Sequence, residues 1–327
     1  MYLGAQAPAF RPYVHQSIPC SQPAHQPNGR VCDAWGHQVG LATLPVADFT
    51  PCHDAIGGHI FDMVSQVARV DREPTHLFNP VVPADMLQRD QYGGRPGIVP
   101  DATTHLSMFP AETARGARQP TRRMDARQLL LDIKTIHAGG TYYRSARARD
   151  EQSGGVAERA HRVQADYDRH ARRLDERIAA RNHPRGGLGA GPGDTTDVLD
   201  HLHSFTRVRG LVCGNYAECS PDVHELLAIT ADGLAQRRWR LMGARSMTEA
   251  RAFFIARLRR SLSVVIAREM ARHRLRRIPF IGVPRAAIRA RQPFRAPQEA
   301  RHMPQMAQLA DFMRFQAYGA APAAVRA

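Results

Sequence analysis

The sequence predicts an α/β fold: a mixed sheet flanked by helices, with core order α-β-β-β-α-β and added C-terminal helices. Three observations predict it. The near-continuous apolar run at 128–136 reads as a central strand buried on both faces. Shorter apolar runs bounded by Pro and Gly stand on either side of it. Long stretches with apolar residues at helical spacing separate and follow these runs.

Taken in order, residues 1–50 are rich in Pro, Gln, His and Gly and read as an extended or loosely packed lead-in. A core is expected over 51–245, a C-terminal helical extension over 246–290 and a tail over 291–327. In 53–70, Ile56, Ile60, Met63, Val64 and Val67 fall at helical spacing. Residues 75–78, after Pro74, read as a short strand, and 98–106 as a second one following a Pro- and Gly-rich turn. Residues 110–127 are polar and basic and read as a surface loop. After the strand at 128–136, a charged helix over 156–180 carries Val156, Ala160, Val163, Tyr167, Ala171 and Leu174 as its inward stripe. The glycine-rich 185–194 reads as a flexible linker. Residues 208–214 form the next expected strand, and Ser220 and Ser246 open two helices, running toward Trp239 and to about Arg276.

Composition narrows the function classes. A 43% hydrophobic fraction in 327 residues can support a real core. No apolar run reaches the roughly 18 residues of a membrane span. No basic start followed by an apolar stretch marks a secretory signal, so an intracellular protein of nucleus or cytoplasm is expected, without membrane association. Five irregularly spaced cysteines fit reduced thiols better than a disulfide framework. The formal charge of +15 favours a polyanionic partner. Its weight is reduced because Lys134 is the only lysine among 45 Lys and Arg, the signature of codon drift toward arginine.

That same drift makes Lys134 a marker. A lysine that survives where lysines have been exchanged for arginine stands where a compact ammonium is needed and a guanidinium fork will not serve. It lies in Asp132-Ile133-Lys134. On a strand, residues two apart project to one face, so Asp132 and Lys134 point together while the Ile133 carbonyl stays available. Asp101, in Pro100-Asp101 on the preceding expected strand, supplies an opposing carboxylate. Phosphodiester cleavage needs a metal-activated water and a cation near the developing charge. Asp101, Asp132 and the Ile133 carbonyl are oxygen donors suited to Mg²⁺ or Mn²⁺, and Lys134 is the cation.

The pair Pro100-Asp101 followed after 30 residues by Asp132-Ile133-Lys134 resembles the PD-(D/E)XK motif of the restriction-endonuclease-like nucleases. The predicted element order is also theirs. A second resemblance spans about 32–137. Cys32-Asp33-Ala34-Trp35-Gly36-His37, Cys52-His53-Asp54, Glu73-Pro74 and the two acidic motifs resemble the endonuclease-like region of plant, algal and fungal retroelements. The chain departs from that region in showing no polymerase segment and in carrying a lysine where its strand often has none. The resemblance implies a metal-dependent nuclease acting on nucleic acid, with DNA the expected substrate. It also implies Glu73 as a third acid, and His53 with Asp54 positioning water or the scissile phosphate.

The remaining candidates have ordinary alternatives. Cys20, Cys32, His37 and Cys52 lack the short paired spacing of a closed zinc site, so zinc is not expected. Arg159, His161 and Arg162 on the helix after the central strand are candidate phosphate contacts or a solvated face. Tyr142 and Tyr143 are candidate base-stacking residues. Glu218 either faces the site or caps the helix at Ser220. Two other functions stay open: a degenerate nucleic-acid-binding module, and a helical scaffold for an acidic partner.

Overall fold

The structure, a computed structural model, describes residues 7–20, 29–44, 49–87, 97–105, 128–137, 154–182 and 197–283. The expected loop at 110–127, the linker at 185–194, Tyr142, Tyr143 and the tail lie outside the described residues.

The centre is a four-stranded mixed sheet. Strands β3 (Val70–Arg72), β4 (Ala102–Thr104), β5 (Leu129–Ile136) and β6 (Arg209–Gly214) lie side by side in chain order. The first two junctions are antiparallel and β5–β6 is parallel. Register is fixed by pairs such as Ala102 with Leu131 and Lys134 with Val212. A parallel pair needs a long crossover, and here it contains helix α4 (Gly154–Asn182) and the short α5 (Val198–Ser204).

Strand β5 alternates between two apolar layers. Leu129, Leu131 and Ile133 enter a core shared with α2 (Thr50–Ser65), α6 (Pro221–Arg238) and α7 (Met247–Leu275). Leu130 joins Val163, Tyr167 and Val208 under α4, and Ile136 packs there with Val156, Ala160 and Val212. Asp132 lies on this α4 side, in line with Leu130 and Ile136. The inward stripe of α4 is the expected one, since Val156, Ala160, Val163, Tyr167, Ala171 and Leu174 are all buried. On the opposite layer, a Cβ at Gly57 would stand 3.2 Å from Ile133 Cγ1. The absence of a side chain at Gly57 therefore lets α2 lie close to the central strand.

Several elements differ from expectation. Helix α2 stops at Ser65, and 70–72 form the edge strand. The expected strand at 75–78 is instead a 3₁₀ turn, Thr75–Phe78, and the short helix α3 (Ala84–Leu87) follows it. Glu73 takes φ 55° before Pro74, a left-handed kink that ends the strand and turns Phe78 inward against His201 and Phe205. The expected strand at 98–106 shrinks to β4. Pro100 cannot donate a ladder hydrogen bond, and Asp101 spends its side chain on the ladder position instead.

The first fifty residues are less loose than they read. Strands β1 (Ser17–Ile18) and β2 (Arg30–Val31) pair, and helix α1 (His37–Leu41) follows. Phe10, Ile18, Cys32, Val39 and Leu44 bury themselves with Ile281. Arg277, almost fully buried, ties this cluster to the end of α7. Its Nη1 donates to the carbonyls of Val39, Gly40 and Ala42 at 3.1, 3.1 and 2.7 Å, and its guanidinium lies over the Phe49 ring. Ser246 caps α7 as expected, accepting from the Glu249 amide at 3.1 Å. No helix among the described residues is long and apolar enough to cross a membrane.

Candidate active site at the β4–β5 junction

Asp101 sits one residue before β4, where continued pairing would set it opposite Asp132. Its Oδ2 accepts the Ile133 amide at 2.6 Å, and its carbonyl accepts the Glu73 amide at 2.9 Å. A carboxylate thus takes the place of a strand carbonyl and is held at the point where the two strands part. Asp132 is only 3% exposed. Its Oδ1 accepts from Lys134 Nζ at 2.8 Å and from the Tyr167 hydroxyl at 2.9 Å. The same ammonium lies 2.7 Å from Oδ2, yet Oδ2 is buried without a well-formed hydrogen bond.

His53, near the start of α2, closes the cluster from the other layer. Its Nε2 lies 3.0 Å from the Ile133 carbonyl oxygen and 3.4 Å from Asp101 Oδ2, while Nδ1 lies 3.1 Å from Asp54 Oδ1. Asp101, Asp132, Ile133, Lys134, His53 and Asp54 therefore belong to one network. Glu73 meets it through its backbone amide, and the residue is exposed.

The electrostatics separate the two acids. Burial drives the Asp132 carboxyl upward and the Asp101 charge adds to this, with Lys134 and Tyr167 opposing; the net shift is upward. Burial also pushes Asp101 upward, but His53, Lys134 and the Ile133 amide outweigh it and hold that carboxyl below its usual range. For His53, burial disfavours the imidazolium, yet the hydrogen bonds to Asp101 and Asp54 prevail and raise its pKa to about 10. Burial and the two carboxylates push the Tyr167 phenol well up, so it serves as a neutral donor. Paired acids whose surroundings push them apart are a recurrent feature of sites that move protons.

The donor set fits a hard cation. Asp101, Asp132 Oδ2 and the Ile133 carbonyl are all oxygens, as Mg²⁺ and Mn²⁺ prefer, and Oδ2 at present faces the Lys134 ammonium. Two of them, Asp101 Oδ2 and the Ile133 oxygen, are the atoms that His53 Nε2 approaches. Among the described residues no three His, Cys, Asp or Glu side chains gather as a metal-binding group. A cation held at this junction therefore draws on two carboxylates, one carbonyl and water.

The other candidates fall elsewhere. Cys32 lies in the N-terminal cluster and Cys52 in the central core, 4.0 Å from Met270 Sδ. Burial raises these two thiols to about 11 and about 12. Cys20 is also buried. In the Cys32–His37 motif, Asp33 organises the turn into α1: it accepts the amides of Trp35, His37 and Gln38 at 2.9, 3.0 and 2.7 Å. Glu218 bonds the Tyr216 amide in its own turn at 2.8 Å. Arg159 pairs with Asp166 and Arg162 with Glu158, both along α4 itself, and His161 is exposed.

Tyr167 is the site residue that sequence reasoning takes only as core. A signal was available, since a tyrosine in an otherwise aliphatic buried stripe must find a partner for its hydroxyl. No protein-family model matches the chain, and neither curated proteins nor solved structures include a significant match to it.

Proposed function

We propose that the protein is a metal-dependent nuclease that hydrolyses phosphodiester bonds, with DNA the expected substrate. We further propose that its core is a restriction-endonuclease-like arrangement of the PD-(D/E)XK class, related to the endonuclease-like region of retroelements. The single observation that carries this reading is the convergence of Asp101, Asp132 and Lys134 on one hydrogen-bonded junction, pinned by the Ile133 amide. The order helix, three antiparallel strands, helix, then a parallel strand supports the fold assignment.

In this reading Asp101, Asp132 and the Ile133 carbonyl would hold Mg²⁺ or Mn²⁺, and that cation would supply neutralisation of phosphate charge and activation of water. Lys134 presents a point charge beside the reacting phosphate oxygens. Asp101, kept ionised, is the constant anionic anchor, and Tyr167 fixes the Asp132 carboxylate so that Oδ2 is the oxygen left to donate.

One observation favours a second reading. His53 and Lys134 already compensate the two carboxylates from within the chain, as a degenerate nucleic-acid-binding module would require. Cleavage separates the two. Supercoiled plasmid and labelled duplex should be cut with Mg²⁺ or Mn²⁺, not in EDTA, and not by Asp132→Asn. Intact DNA binding with no cleavage under any cation would establish the degenerate module instead.

A further inference from the structure

The arginines of α4 divide into two sets. Arg159 and Arg162 spend their charge on Asp166 and Glu158 of the same helix, at 2.7 and 2.6 Å. Arg169 also turns to Asp166, at 3.2 Å. Arg173 and Arg177 are exposed and form no ion pair with a carboxylate of the described residues. At 100° per residue, His170, Arg173 and Arg177 fall on one line beside the buried stripe that contains Tyr167.

That line lies next to the candidate site. A Cβ at Gly97 would stand 2.7 Å from the His170 ring, so the glycine allows the segment leading to Asp101 to rest directly on this face of α4. Two residues on, the Val99 carbonyl lies 3.4 Å from the Tyr167 hydroxyl. Burial, with the nearby charges of Arg173, Arg169 and Lys134, holds the His170 imidazole below its usual range against the opposing Asp166. This face of α4 therefore presents the His170 ring as an uncharged N–H donor and, further along the helix, the exposed charges of Arg173 and Arg177. The rise from His170 to Arg177 is about 10 Å, the scale of a short stretch of one nucleic-acid strand.

We infer that His170, Arg173 and Arg177 form a phosphate-binding track that carries the backbone of a duplex toward Asp132 and Lys134. This rests on the nuclease reading for its substrate class, but the binding is independent of cleavage. A polynucleotide is the occupant because its charge repeats along a line, as these side chains do. A sequence-independent, salt-sensitive affinity follows from contacts to phosphate alone.

The test is fluorescence anisotropy with a labelled duplex in EDTA, from 50 to 200 mM salt, on the full chain. Each lost phosphate contact lowers the salt slope by about 0.9. For Arg173→Ala/Arg177→Ala the slope should fall by about 1.8, so over this fourfold rise in salt the wild type should lose about 12-fold more affinity than the double variant. Arg162→Ala should match the wild type. Exposed helical Arg→Ala changes preserve helix propensity, and an unchanged circular dichroism melt confirms the fold. Equal slopes for wild type and double variant overturn the track even if the protein cleaves DNA. A reduced slope with no cleavage upholds the track and removes only the catalytic reading. Absence of duplex binding by the wild type at 50 mM salt overturns it. So does equal competition by polyglutamate at matched charge, which would make the face a site for acidic protein.

Discussion

Replacing Lys134 with arginine keeps the charge and changes only its shape. The ammonium lies 2.8 Å from Asp132 Oδ1 and 2.7 Å from Oδ2, but only Oδ1 receives a well-formed hydrogen bond. A guanidinium presents two parallel N–H groups and pairs with both oxygens of a carboxylate at once. Lys134→Arg therefore covers Oδ2, the oxygen that the nuclease reading assigns to a cation, and removes the compact charge beside the phosphate. Stability should hardly move, because the substitution keeps a positive partner beside the buried Asp132 carboxylate. Duplex affinity should also persist, since net charge is unchanged. Losing one preorganised electrostatic contact costs about 2.7–4 kcal/mol, or 10²–10³ in rate. The assay compares single-turnover cleavage in Mg²⁺, filter binding in EDTA and a thermal melt for wild type and variant. Cleavage at the wild-type rate by Lys134→Arg would refute both the role of Oδ2 and the view that the lone lysine marks a reaction centre.

Two further outcomes follow from the same network. Tyr167→Phe removes a buried donor but leaves Asp132 Oδ1 bonded to Lys134, so the loss should be about 1–2 kcal/mol. That corresponds to a melting temperature lower by roughly 2–6 °C, and an unchanged melt would show that the Tyr167–Asp132 bond is not formed in solution. The pH profile tests His53. Its pKa is raised to about 10 in the folded chain, so its stabilising contribution is complete below the unfolded histidine value near 6.5 and is lost as pH rises toward 10. Urea midpoints should fall across that window for the wild type and fall less for His53→Gln. Parallel profiles would remove His53 from the Asp101 network.

Local patterning and side-chain chemistry are what the sequence by itself determined. The run at 129–136 forms the central strand because continuous apolar residues are stable only when both faces are covered. Helix α4 keeps its predicted stripe because its spacing matches one face of a 3.6-residue helix. Asp132 and Lys134 share a side of β5 because strands alternate, and their pairing needed no tertiary information.

Tertiary structure decided what lies across from these residues. Asp101 meets the Ile133 amide because the β4–β5 ladder stops short of Pro100, which precedes β4, and that geometry depends on the register of two strands 30 positions apart. His53 reaches the Ile133 carbonyl because Gly57 lets α2 settle against β5, a contact between segments 80 residues apart. The N-terminal cluster was equally hidden: Phe10, Ile18 and Leu44 show no period, and their partners Ile281 and Arg277 lie at the far end of the described chain. Tyr167 reads as a core residue from spacing alone, and only the position of Asp132 makes its hydroxyl part of the site. Periodicity reports which face of an element is buried, but a buried carboxylate, amide or hydroxyl acquires its role from the partner that folding brings to it.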